Sequence, residues 1–255
     1  NPQGAILDGA GQSRVLEVNS TSATSLILDG LVIQNGFSNE GAAGLQLNVK
    51  DTLVIDSLFA DNVGGAIYSY GDYGRNEVLK VENSRFLRNK QEPAIRHHGY
   101  YSPLEVVSSY FENNDGAIHA RVNYSDAFIR NSIFINNTSP LQEISVYLGG
   151  GAQERKEIYN SLFYEWSSDS EDETKTALRF SGTTKNRVYN SVFLRDAGID
   201  NSGELFELYY SYVDPSVITG SAFKKGVVFD GINQPSGYTE PILHKRRLEF
   251  KSQHN

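Results

Sequence analysis

Residues 129–134 read Ile-Arg-Asn-Ser-Ile-Phe, and a version of this stretch returns along most of the chain. Taking Asn131 as anchor, the pattern is an aliphatic residue two places before, Ser one place after and Phe three places after. Its copies are Ile27/Asp29/Val32, Val54/Asp56/Phe59, Val81/Asn83/Phe86, Val106/Ser108/Phe111, Ile129/Asn131/Phe134, Ile158/Asn160/Phe163 and Val188/Asn190/Phe193, with a degraded eighth at Leu208/Tyr210/Val213. The anchors recur about every 25 residues, the period range of solenoids and repeat arrays.

The repeating segments are strand-like. They are short, rich in Val, Ile, Phe and Tyr, separated by Gly, Asn, Asp and Ser, and show no sustained helical period. A second recurring piece follows each Phe: Gly65-Ala66-Ile67, Pro93-Ala94-Ile95, Gly116-Ala117-Ile118, Thr176-Ala177-Leu178 and, earlier, Gly44-Leu45. Each repeat thus supplies two or three strands. A unit this small cannot bury its own apolar face, so neighbouring units must stack on it.

The expected fold is all-β, a right-handed parallel β-helix of about eight coils. Its inward columns are the Phe residues, the Val/Ile residues before each anchor, and Ile67, Ile95 and Ile118. Asp29, Asp56, Asn83, Ser108, Asn131, Asn160 and Asn190 form a turn ladder, because Asn and Asp tolerate the left-handed backbone region and stacked amides hydrogen-bond to one another. The helix is expected over residues 1–223, with 224–255 as an irregular cap or tail of the same domain, since the repeat fades after Val213 and Asp214-Pro215 breaks the strand pattern.

On these residues the chain resembles the right-handed parallel β-helix proteins of the pectate-lyase-like superfamily, roughly from residue 4 to 215. The resemblance implies that the Asn ladder marks the tight turn between the second and third strands of a coil. The Gly-Ala-Ile strand then corresponds to the first strand, whose outer face commonly carries the substrate groove. The opening Leu-Asp-Gly, followed by Gly-Leu-x-Ile-x-Asn-Gly at Gly30 to Gly36, is similar to secreted bacterial surface β-helices and some polysaccharide lyases. It implies a secreted or cell-surface protein with an extracellular glycan as partner.

Composition narrows the function classes. With 255 residues and a net charge of −8, the chain is not built to coat nucleic acid or an anionic membrane. Cysteine is absent, which removes disulfides and thiolate metal sites. No apolar run approaches the ~18 residues of a membrane span. No cofactor or metal is expected. The acidic run Ser167 to Thr174 carries calcium-type ligands, but its spacing departs from the Asp-x-Asp-x-Asp-Gly loop, so it reads as a solvated acidic loop. The basic run His244 to Arg247 reads likewise as a solvated tail.

Strand alternation makes the sharpest expectation. With Leu45, Ile67, Ile95, Ile118, Val146, Leu178 and Ile199 inward, the residues after them point out: Gln46, Tyr68, Arg96, His119, Tyr147, Arg179 and Asp200. Two places on lies a second outward row: Asn48, Tyr70, His98, Arg121, Gly149, Ser181 and Asn201. Tyrosine-rich excursions at Tyr70–Tyr73, His98–Tyr101 and Asn123–Tyr124 adjoin it.

Coils about 4.8 Å apart crowd Arg96, His119 and Arg121, unless His119 is neutral or an anion sits between them. One reading is an elongated acidic-glycan groove. Tyr68, Tyr70, Tyr101, His98 and Arg121 bind substrate there, with ring faces for stacking and Arg forks for carboxylate. The other is ordinary exposed strand chemistry, with Tyr present for its β-propensity.

Paired carboxylates for glycoside hydrolysis are lacking, since only Asp200 lies on the stripe. If the stripe is catalytic, the remaining chemistry is β-elimination on a uronate. His119 would be the base, Arg96 and Arg179 the charge stabilisers, and Tyr147 or Tyr68 the acid. A purely structural surface solenoid or adhesin is the third alternative.

Overall fold

The computed structural model describes residues 4–20, 25–71, 78–137, 144–151, 155–165, 176–182, 185–195, 197–201 and 205–213, with short strands at 218–219, 222–225 and 228–229. The chain is a right-handed parallel β-solenoid made of three sheets of 10, 9 and 9 strands. Every pairing between named strands is parallel and joins one coil to the next. Phe86, for example, pairs with Phe59 on one side and Phe111 on the other. Among the described residues there is no helix long and apolar enough to cross a membrane.

The inward columns lie where the pattern puts them. Rings of Phe59, Phe86, Phe111, Phe134, Phe163 and Phe193 stack with centroids 4.6–5.1 Å apart and planes within 11°. Offset ring stacking and removal of aromatic area from water both favour this column. Val54, Val81, Val106, Ile129, Ile158 and Val188 form the second column, and Ile67, Ile95, Ile118 and Val146 the third, all fully buried.

Corners depend on residues that accept the left-handed region. Asp56, Asn83, Ser108, Asn131, Asn160, Asn190 and Tyr210 all have φ between 47° and 50° or close above it, up to 52° at Asn131. Asn160 donates from its amide to Asn131 Oδ1 at 3.2 Å, and Asn83 donates to Asp56. Behind each anchor from Asp56 onward the following Ser is buried, and from Ser84 onward its Oγ accepts from the backbone N–H of the Ser one coil earlier. Ser84 Oγ, for instance, accepts from Ser57 N at 3.2 Å while donating to the Glu82 carbonyl at 2.8 Å.

The first copy of the motif is displaced by one residue from the expected reading. Leu28, not Ile27, pairs with Val54, and Ile33, not Val32, pairs with Phe59. Ile27 is accordingly 65% exposed while Ile33 is fully buried. The left-handed corner falls on Gly30 (φ 65°) rather than Asp29. Glycine carries no Cβ penalty there, and a one-residue slip sends every side chain to the opposite face. At the far end Asn201 pairs with Phe180, so it does not continue the second outward row beside Ser181.

Strands Ala222–Lys225 and Val228–Phe229 extend two sheets past residue 223. The rest of the expected cap, the acidic run 167–174 and the basic run 244–247 lie outside the described residues.

A second, buried ladder was not foreseen. Asn62, Asn89, Asn114 and Asn137, each six residues after an anchor, sit in the corner beyond the Phe column with 0–1% exposure. Each of the first three donates from Nδ2 to the next Asn Oδ1, at 2.9, 2.8 and 2.7 Å. Those Nδ2 groups also reach the carbonyls of Ile33, Phe59 and Phe86, and Asn137 reaches that of Phe111. The ladder satisfies corner backbone groups that would otherwise be buried without partners.

Candidate functional site

The two outward rows form as expected on the Gly-Ala-Ile sheet. In the first, Tyr68 pairs with Arg96, Arg96 with His119, His119 with Tyr147, Tyr147 with Arg179, and Arg179 with Asp200. In the second, Tyr70 pairs with His98, His98 with Arg121, and Arg121 with Gly149. Side-chain alternation on a pleated strand suffices to bring all of these to one face.

The rings touch in sequence along the solenoid. Tyr68 meets Tyr70 at 6.3 Å and His98 at 6.2 Å, His98 meets His119 at 5.3 Å, and His119 meets Tyr147 at 4.6 Å. The Arg96 guanidinium lies 5.3 Å over the Tyr68 ring. Tyr147 and Ser181 share a hydroxyl hydrogen bond at 2.6 Å.

Charge crowding is relieved in three ways. Burial pushes His119 down to about 4, with Arg96 and Arg121 adding to the effect, so its imidazole is neutral near pH 7. Burial likewise pushes His98 down to about 3, helped by His119, Arg96 and Arg121. Arg96 is paired with Glu92 at 3.3 Å, and Arg179 with Asp200 at 2.6 Å. Arg121 differs from both: it is exposed, and among the described residues no carboxylate stands within ion-pair distance.

A groove of about 450 Å³ opens over the second row, a size that accommodates a small ligand or a segment of a longer one. Tyr70, His98, Arg121, Tyr147 and Ser181 line it, with Tyr100 and Asn123 at one edge. Arg96, His119 and Arg179 stand in the row beside it, and Tyr101 lies on the corner beyond Tyr100. Of the four residues expected to do chemistry, the groove therefore takes in Tyr147. His119 reaches it through ring contact, and the two arginines face carboxylates instead. The His98 Nε2 atom is buried and has no hydrogen-bond partner among the described residues.

Gly149, Gly150 and Gly151 also shape the groove, although the row reading drew attention only to the first. The signal was in plain view as a run of three glycines. A Cβ at Gly149 would collide with the ring and hydroxyl of Tyr147, so glycine is what allows that ring to fold across the groove floor. Gly149→Ala is expected to swing the Tyr147 ring away and break its contact to Ser181. Near-ultraviolet circular dichroism should register the change with little effect on Tm, because the ring is only half-buried.

Among the described residues no three His, Asp or Glu side chains converge as a cation site. The buried His97 is turned inward: its Nε2–H donates to the Ser102 carbonyl at 2.9 Å, and its Nδ1 has no hydrogen-bond partner among the described residues.

No family model matches the chain, and no solved structure matches it. Among curated proteins, the chain is 36% identical over 77 residues, 29% of its length, to malate synthase G of Corynebacterium glutamicum. Over 25 residues, 10% of its length, it is 76% identical to malate synthase G of Halalkalibacterium halodurans. These stretches span 10% and 3% of the two enzymes, so the chain is similar to a small part of each.

Proposed function

We propose that this chain is an extracellular or cell-surface β-helix of the pectate-lyase-like kind that holds an acidic polysaccharide along the outward face of its Gly-Ala-Ile strand. The observation that carries the reading is Arg121, an exposed guanidinium without a carboxylate partner among the described residues, set in a groove it shares with Tyr70, Tyr100, Tyr147 and the neutral His98. A guanidinium fork suits a carboxylate, and phenol rings suit the apolar faces of sugars. The neighbouring arginines are already matched by Glu92 and Asp200, which points to Arg121 as the position an anionic ligand would complete. The malate synthase matches, at a tenth of those enzymes' length or less, leave that activity with those enzymes.

Elimination on a uronate is the second reading, favoured by the neutral His98 imidazole at the groove. In that reaction a base removes the proton on the carbon α to the carboxylate. A carbon–carbon double bond forms as the glycosidic C–O bond breaks, and an acid such as Tyr147 returns a proton to the leaving oxygen. Against it stands basicity, because imidazoles held near 3 and 4 are weak bases for a carbon acid. Binding without turnover is therefore preferred.

Titration calorimetry with pectate, alginate and chondroitin fragments tests the proposal, alongside an ultraviolet assay for unsaturated product. At least one uronate polymer should bind, and Arg121→Ala should weaken it roughly 10- to 100-fold, the range of a charge-assisted hydrogen bond. Product formation would favour elimination. Absence of binding to every polymer would leave a structural solenoid.

A further inference from the structure

Beyond the groove the sheet turns a corner that carries an unusual concentration of exposed aromatic surface. Of the eight large hydrophobic side chains exposed among the described residues, four are Tyr70, Tyr100, Tyr101 and Tyr124. Tyr124, 54% exposed, lies nearly parallel to Tyr101 at 5.4 Å and 23°, and to Tyr100 at 6.3 Å and 26°. Single exposed aromatics need no explanation, whereas a contiguous cluster beside a groove marks an interaction surface.

The backbone beneath this cluster is held in an unfavourable conformation. Tyr101 and Tyr124 sit on adjacent coils with φ of 55° and 58°, a region that glycine, asparagine and aspartate enter readily and bulky residues do not. The corner after the Phe strands uses Asp61, Arg88, Asn113 and Asn136 at similar φ. Tyrosine at two successive corners carries a local conformational cost, and it sets both rings side by side at the surface. The corner is also braced from inside: His97 holds the Ser102 carbonyl, and Ser102 Oγ donates to the Tyr100 carbonyl at 3.1 Å. On the next coil Gly151 donates its N–H to the Asn123 side chain at 2.8 Å and brings no side chain over the shelf.

We propose that the Tyr100–Tyr101–Tyr124 shelf is a second sugar subsite, stacking the apolar face of a pyranose in the same chain whose carboxylate Arg121 holds. Tyr100 belongs to both the groove and the shelf, so the ligand leaves the groove along the strand direction toward this corner instead of crossing the strands along the solenoid axis. The inference rests on the acidic-glycan reading of the groove and adds to it a requirement: the ligand is an oligosaccharide long enough to reach both places.

The test is calorimetry with a galacturonate disaccharide and hexasaccharide on the full chain and three variants. Tyr124→Asn removes the ring while keeping a residue that accepts positive φ, Tyr124→Phe keeps the ring, and Arg121→Ala removes the guanidinium. In the wild type the hexasaccharide should bind more tightly than the disaccharide. Tyr124→Asn should weaken the hexasaccharide about three- to tenfold, the worth of one ring contact, and leave the disaccharide unchanged, with Tyr124→Phe close to wild type. Equal hexasaccharide affinity in Tyr124→Asn and wild type would overturn the shelf while the groove stands. If Arg121→Ala is silent but Tyr124→Asn is not, the shelf stands and the carboxylate reading of the groove falls. No binding of either oligosaccharide by the wild type, nor of the alginate and chondroitin fragments of the same lengths, would overturn both.

Discussion

Replacing Asn114 by leucine is expected to destabilise the solenoid by roughly 2–6 kcal/mol, from stripping two buried polar groups, the Asn89 backbone N–H and the Phe86 carbonyl, of their Asn114 contact at about 1–3 kcal/mol each. The Asn114 side chain accepts from both the backbone N–H and the amide of Asn89, at 3.0 and 2.8 Å. It also donates to the Phe86 carbonyl and to Asn137 Oδ1, at 2.9 and 2.7 Å. Leucine matches the volume and none of these contacts, and no water reaches a residue 1% exposed. Because each coil is stabilised mainly by its neighbours, the loss falls on the junctions in the middle of the stack. Asn131→Ala, on the exposed outer ladder, should cost only about 1 kcal/mol, chiefly left-handed strain. Urea midpoints of the two variants check the contrast, and similar values would refute the assigned roles of the two ladders.

A second large effect is expected with acid. His97 is fully buried and neutral, and burial pushes it down to about 4 from the usual 6.5, only partly opposed by its hydrogen bond to Ser102. Since the folded value lies below the unfolded one, the unfolded chain binds the extra proton. Stability is therefore complete above pH 6.5 and is lost as pH falls toward 4. For His97 alone the loss amounts to about 3 kcal/mol, at about 1.4 kcal/mol per pH unit. His98 and His119 act in the same direction. Unfolding free energies measured between pH 7 and 4.5 should fall steeply in the wild type. In His97→Gln, which retains a donor toward the Ser102 carbonyl, the slope should be shallower by about one proton. An unchanged slope would show that His97 is not the linked group. Because His97 braces the corner carrying Tyr100 and Tyr101, acid should loosen that corner first.

The repeat that begins with Ile129 to Phe134 was enough to establish a parallel solenoid, its Phe column and its outward rows. Strand alternation leaves no choice about which face a residue takes once the register is known. Pattern alone was weakest where the motif is degenerate. In the first coil, Leu28-Asp29-Gly30 admits two registers, and only packing of Ile33 against Phe59 selects one. The Asn62–Asn137 ladder was visible as an asparagine six places after each of four anchors. Its importance depended on burial, which a list of polar residues does not reveal.

For the candidate site, strand alternation placed the two rows on one face, while side-chain direction set which members look into the groove. Arg96 found Glu92 four residues before it and Arg179 found Asp200 on the next coil, whereas Arg121 has no carboxylate within ion-pair distance among the described residues. Tyr147 lies over Gly149, and Tyr124 over Tyr101, because neighbouring coils leave room there. Local sequence determined the period and the faces, since both follow from backbone geometry. Tertiary structure decided pairing, burial and open space, since each depends on residues some 25 positions away.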